Sequence, residues 1–295
     1  MKPLFLAAAL LLPGAAVAQT GGAIIVSAEQ VEQIRQDARA AQAPAAPSLS
    51  RPIITAPPYA LNLEHRTGKA PASLHPAEAE LIIVLDGAGT ITTGGMLVNA
   101  TTAANGNVSG TDIANGAPRH VVKDDMLMVP QGTAHMMVPD TGGVLVLATL
   151  HLPRTAEPTS VPGRAPRLVN LAADVPAMTQ KAKTAAATSP RFFGGDTMLS
   201  LPPYRVGLEY RSPKGIASIH KNDGEFMLVL EGEGVVVTGG TVVNPKDLGA
   251  NIDGDAIQGG TDNRMKKGDF IFVPKGLPHL ARTDGTFVLA TLHVP

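Results

Sequence analysis

The chain holds eight histidines, and they are not scattered. Laid against itself, the sequence pairs six of them: His75 with His220, His135 with His279, and His151 with His293. Two acids keep step, since His75-x4-Glu80 is matched by His220-x4-Glu225. Neutral imidazole and carboxylate are good ligands for a divalent transition metal. Two His and one Glu leave positions free for water or substrate. An isolated His–Glu pair reads more simply as a hydrogen-bonded polar pair in a core. Two copies, each with a third His in the matching place, favour metal. The expected ligands are therefore His75, Glu80 and His135 in one copy and His220, Glu225 and His279 in the other. Fe, Mn, Ni, Zn and Cu would all accept such a set.

Other retained residues offer supporting chemistry. His151 and His293 end the repeated Thr-Leu-His and read first as strand-end surface residues, second as further ligands. Glu64 and Arg66, like Glu209 and Arg211, share one face of a strand by alternation. Each pair is either an ion pair at a barrel rim or an anion clamp beside the metal. Arg119 and Arg264 survive in otherwise diverged sequence, where a guanidinium suits a substrate carboxylate or a structural hydrogen bond. Met126, Met128, Met136 and Met137 read as barrel packing. No free nucleophile or general base stands out, and the absence of Cys removes thiol and disulfide chemistry.

The elements that must position these groups come from the same duplication. PPYALNLEHR from Pro57 matches PPYRVGLEYR from Pro202, and VLATLHLP from Val146 matches VLATLHVP from Val288. Short apolar or alternating runs (Leu81–Leu85, Thr90–Thr93, Met126–Val129, Val144–Thr149) read as strands, with Asp86-Gly87 as a hairpin-turn signal. Among 295 residues, 31 Gly and 25 Pro leave little room for long helices. Many short strands with glycine corners argue for a barrel or sandwich. Ser27-Ala28-Glu29-Gln30 is a capping-box signature opening a helix through Val31, Ile34, Ala38 and Ala41. A second helix is expected after Asp174, with Pro176 in its first turn. The stretch 153–167 is Pro-rich and aperiodic, a linker.

The opening residues have Lys2, an apolar run Leu4–Leu12 and Ala16-Val17-Ala18, the pattern of a secretory signal cleaved near Ala18. The expectation is a periplasmic or secreted protein with no membrane span in the mature chain. The predicted organisation is residues 1–18 as signal, 19–153 as a first domain with its helix, and 154–295 as linker, helix and second domain. A net charge of -1 without basic runs argues against nucleic acid as partner. Self-association is left open.

The motifs also carry a resemblance. His75-x4-Glu80-x6-Gly87 with Asp124-x5-Pro130-x-Gly132-x2-His135 resembles the two motifs of the cupin superfamily. His220-x4-Glu225-x6-Gly232 with Gly268-x5-Pro274-x-Gly276-x2-His279 matches more closely. Together they resemble a bicupin, which implies an all-β fold of two tandem jelly-roll barrels, each preceded by a short helix. The departures matter. Ser73 and Ser218 stand where the family usually has the first His, Pro139 and Thr283 stand where an Asn is frequent, and Asp124 replaces an opening Gly. The resemblance thus implies a His-Glu-His site in each barrel, with Ser73 and Ser218 lining the gap. The implied function is an exported metal-dependent enzyme of dioxygenase, isomerase or lyase type. Its substrate would be a small polar or carboxylate-bearing molecule, since three Tyr and no Trp give little stacking surface for a long glycan. A non-catalytic small-molecule or metal-binding protein is the alternative, and an empty barrel pair with vestigial His and Glu a third.

Overall fold

A computed structural model describes residues 22–154 and 166–295. The expected signal sequence at 1–18 and most of the Pro-rich linker lie outside the described residues. The protein is all-β, with two jelly-roll barrels in tandem. In the first, hydrogen-bonded strand order is Ser48–Ala56, Tyr59–Arg66, Leu145–Pro153, Glu78–Thr93, His135–Pro139, Ala72–Leu74, Val108–Gly110, Thr101–Thr102. The second repeats it as Phe193–Leu201, Tyr204–Arg211, Phe287–Val294, Gly224–Thr238, His279–Arg282, Ala217–His220, Asn251–Gly254, Lys246–Asp247.

Asp86-Gly87 does not reverse the chain. Glu78–Thr93 is one strand that bends at a bulge: Val146 pairs with Asp86 while Leu147 pairs with Val84. Gly87 sits at φ +78°, and Gly232 repeats it at +73°. A left-handed glycine opens a bulge as readily as a tight turn. Here the partner strand Leu145–Pro153 runs straight past, so the long strand bends from one sheet into the other.

Alternation then sorts the side chains. Ile82, Val84, Leu145 and Leu147 face into the first barrel, whereas Leu81, Ile83, Val146, Ala148 and Leu150 face a single core shared with Val206, Leu208, Phe226, Leu228 and Leu292 of the second. Met126 and Met128 belong to that shared core and only Met137 packs inside the barrel, a refinement of the sequence expectation.

The two units are laced together reciprocally. Ile24–Val26, ahead of the first helix, pairs with Phe270–Val273 of the second barrel. Val169–Asn170, ahead of the second helix, pairs with Met126–Val129 of the first. Ile25 and Val169 each pack on the other unit's barrel core. Next to each exchanged strand, the Ala28 amide donates to Asp269 Oδ1 at 2.7 Å and the Ala172 amide to Asp125 Oδ1 at 2.7 Å. The second carboxylate oxygens accept the Lys266 and Val122 amides within their own barrels. Both aspartates are buried. Asp125→Ala or Asp269→Ala would strand two amides, and each should lower unfolding free energy by about 2–4 kcal/mol in denaturant titration.

The capping box at Ser27 and Gln30 forms as expected, and the helix spans Ala28–Ala41. The second helix spans Val175–Thr188 with Pro176 in its first turn. Asp174 makes no side-chain cap, because a 3-10 turn at Ala172–Asp174 leads in and Asp125 already takes the Ala172 amide.

Candidate metal centre in each barrel

In the first barrel Glu80 lies on the inner face of the long strand, 3% exposed. Its register partner on the neighbouring strand is His151, so the two side chains emerge side by side. His75 follows the short strand Ala72–Leu74, and its carbonyl accepts the Gly132 amide at 2.8 Å, tying it to the turn that delivers His135. His135 Nε2 comes within 2.8 Å of Glu80 Oε2 and His75 Nε2 within 3.9 Å. Single ligand atoms of His75, Glu80 and His151 all lie within 4.8 Å of one another.

The second barrel repeats this. His279, His220 and His293 bring Nε2 to 3.1, 3.4 and 3.7 Å from Glu225 carboxylate oxygens. His293 is the register partner of Glu225, and the Gly276 amide donates to the His220 carbonyl at 2.8 Å. The structure thus gathers all six sequence-expected residues and adds His151 and His293. Both expected triads become sets of three His and one Glu.

The outer nitrogens show what holds the rings. His135 Nδ1 lies 3.1 Å from the Thr133 carbonyl, and His279 Nδ1 lies 3.1 Å from that of Leu277. His151 Nδ1 lies 3.0 Å from Glu78 Oε2, and His220 Nδ1 lies 2.9 Å from Asn251 Oδ1. An Nδ1–H given outward leaves Nε2 as a lone pair aimed inward, the usual support of a metal-bound imidazole. The centre itself is unsatisfied. Glu80 Oε2 and Glu225 Oε2 are buried without an aligned hydrogen-bond donor, although imidazoles surround them. Oxygens orphaned amid converging ring nitrogens fit a cation better than a hydrogen-bonded core pair.

The imidazoles also set the charge of the two carboxylates. Burial alone would push the Glu80 carboxyl up, but the His135 imidazole, helped by His151 and His75, holds it at about 2. Glu225 is likewise held well below the usual range against burial, by His220, His279 and His293. Both carboxylates are therefore ionised at neutral pH. His75 is lowered, by burial first and then by His151 and His135 against the pull of Glu80, whereas His135 and His220 are raised against burial by Glu80 and Glu225, so in the metal-free protein those two rings favour the proton that a bound cation would displace.

Glu78→Ala would free His151 Nδ1 without touching the second barrel. Metal titration should show one of the two sites weakened by about 10-fold and the other unchanged.

The remaining candidates separate. Arg66 donates to Glu64 through Nε at 2.8 Å and Nη2 at 2.5 Å, and Thr149 donates to Glu64 at 3.3 Å. Arg211 donates to Glu209 through Nη2 alone, its Nε buried without a partner. Both are largely buried ion pairs. Arg119 and Arg264 are exposed on outer strands and are not brought to the clusters. Ser73 and Ser218 lie opposite His135 and His279 in register. Ser218 donates to the buried Asp253, which also pairs with Arg191 at 2.9 Å. The first barrel has Ser109 in the place of Asp253.

Sequence reasoning missed Glu78, Asn251 and Asp253. The two Asp/Asn positions lie in the stretch where the copies have drifted apart. The Asn107/Asn251 match in that stretch was the available signal.

Two jelly-roll barrels, each with an inward His/Glu cluster, make this a tandem barrel protein of cupin-like architecture. The solved structure of salicylate 1,2-dioxygenase from Pseudaminobacter salicylatoxidans is similar to it, with TM-score 0.61 and 12% identity over 100% of this chain and 90% of that one. The same dioxygenase in adducts with gentisate gives TM-score 0.60 and 12% identity, covering 92% of this chain and 81% of that one. At such identity the likeness is one of fold. No protein-family model matches the chain, and no curated protein sequence does. No helix among the described residues is long and apolar enough to cross a membrane.

Proposed function

We propose that each barrel binds one divalent transition metal, through His75, Glu80, His135 and His151 in the first and His220, Glu225, His279 and His293 in the second. We read the protein as a metal-dependent enzyme acting on a small polar or carboxylate-bearing molecule. The observation that carries this reading is the duplicated convergence of three imidazoles on a buried carboxylate, one oxygen of which has no aligned hydrogen-bond partner.

Four protein ligands leave coordination positions for substrate in a five- or six-coordinate metal. When bound, the metal would supply Lewis acidity or oxygen activation. The protein's own part is to orient the ligand and set the charge. The Glu64–Arg66 and Glu209–Arg211 pairs cancel themselves, and Glu225 offsets only half of a dication, so the second centre keeps positive charge for an anionic substrate, whereas in the first Glu78 behind His151 adds a second negative charge. Access lies on the last-strand side, where the His151 and His293 side chains are 31% and 42% exposed. Structural likeness to a dioxygenase solved with gentisate, an aromatic acid, makes dioxygenation the first reaction to test, ahead of isomerase and lyase chemistry.

The test is a turnover screen of the metal-loaded protein against small carboxylic acids, phenols and sugars, with and without oxygen. Oxygen-dependent consumption of a carboxylic acid supports the reading. Tight binding without turnover across the set would instead favour a non-catalytic carrier. Export is proposed from Lys2, Leu4–Leu12 and Ala16-Val17-Ala18 alone, and the mass of the protein recovered from the periplasm or medium should correspond to cleavage near Ala18.

A further inference from the structure

We propose that each metal centre is positioned by a tyrosine of the opposite barrel: Tyr204 holds His151, and Tyr59 holds His293. The proposal rests on the ligand sets above.

His151 and His293 sit near the ends of their strands, where pairing runs out. Two residues beyond His151 comes Pro153, the last residue of Leu145–Pro153. Two beyond His293 comes Pro295. Proline has no N–H to give, so the oxygen is what remains for tying the strand end down. In the first barrel that oxygen accepts a hydrogen bond from Tyr204, which belongs to the second barrel. In the second barrel the Pro295 oxygen accepts from Tyr59 of the first, at 2.7 Å. Tyr204 and Tyr59 are buried, 2% and 6% exposed. The Tyr59 ring also stands edge-on to Phe226, the neighbour of Glu225, with centroids 6.3 Å apart. Because Pro153 pairs with Glu78 and His151 with Glu80, fraying at Pro153 would loosen both the imidazole and the Glu78 carboxylate that orients it.

The lacing is therefore functional as well as structural: neither ligand set is fully held by its own barrel. The two sides are unequal. Glu78 gives His151 a second anchor, whereas no described residue hydrogen-bonds His293 Nδ1. Loss of Tyr59 should cost its distant site more than loss of Tyr204.

The experiment uses the full chain reconstituted with Co(II), one site silenced at a time by Glu225→Gln or Glu80→Gln. The readouts are Co(II) affinity and the visible absorption band, which reports coordination geometry. Tyr204→Phe should weaken Co(II) in the first barrel about 3- to 10-fold and shift its band, leaving the second barrel unchanged. Tyr59→Phe should do the reverse, with the larger effect. Phe keeps either ring in the core shared by the two barrels, so the crossed pattern isolates the lost hydroxyl. Loss in the carrying barrel, loss in both, or no change in either would overturn the proposal. His151→Ala and His293→Ala run in parallel. If these weaken Co(II) while the tyrosine variants do not, only the positioning role falls. If they leave Co(II) binding untouched, the ligand sets fall and the positioning role with them.

Discussion

Replacing Glu80 and Glu225 together by Gln should strip the protein of metal. Gln keeps the shape and one oxygen but loses the negative charge that makes the centre a cation site. The carboxylates are the only anionic groups in the two sets, and each faces three imidazoles that must remain neutral to bind. Affinity should fall by at least about 100-fold at each site, since loss of a supporting second-sphere group already costs 10- to 100-fold. Elemental analysis after dialysis checks this. The amides keep the shape of the side chains, but in the metal-free protein each removes a carboxylate that the imidazoles hold ionised against burial, so metal-free stability should fall at neutral pH. Unchanged metal content in the double variant would refute the ligand assignment.

Gly87→Ala and Gly232→Ala should be the most damaging single methyl additions in their barrels. Both glycines have left-handed φ, and a Cβ at either would stand 1.8 Å from a backbone oxygen, that of Val144 or Thr286. Backbone, unlike a flexible side chain, cannot step aside. The bulge would have to open where the long strand crosses between sheets. Each substitution should cost about 3–5 kcal/mol, combining positive-φ strain with lost pairing. Chemical denaturation reads this directly. Gly94 is the control: its φ is +75° but nothing lies within 4 Å of an added Cβ, so Gly94→Ala should cost only the conformational strain, about 1–2 kcal/mol.

The same glycine shows where sequence reading stops. Asp-Gly between apolar runs marks a left-handed residue, and that was legible at Asp86-Gly87. Whether the chain reverses there or merely bulges depends on the partner strand, which is distant in sequence. His151 and His293 illustrate the point from the functional side. As strand-end residues in Thr-Leu-His they look like surface. Their place in the clusters emerges only from a register that sets His151 beside Glu80 and His293 beside Glu225. The His75, Glu80 and His135 pattern was readable because the chain carries its own second copy at nearly constant spacing. Asp253 was not, since the first copy has Ser109 in its place, and the Asn107/Asn251 match lay hidden in a stretch that has otherwise drifted apart. The strand exchange left no periodic signal either. Ile24–Val26 and Val169–Asn170 are too short, and nothing local says which barrel they complete. Helix starts were legible at Ser27, where the capping box is local, and after Asp174, although Asp174 gives no side-chain cap and Asp125 of the other unit takes the Ala172 amide of the turn that leads in.

The central claim is a metal held by three His and one Glu in each barrel. Metal stoichiometry tests it most directly. The full chain should be reconstituted with Fe, Mn, Ni, Zn or Cu, dialysed and analysed for metal per chain, beside the single variants Glu80→Gln and Glu225→Gln. Two ions per chain, falling to one in each single variant and to none in the double, is the predicted result. Near-zero metal after reconstitution with every one of these ions would contradict the account and leave the two clusters as buried polar groups without a cation.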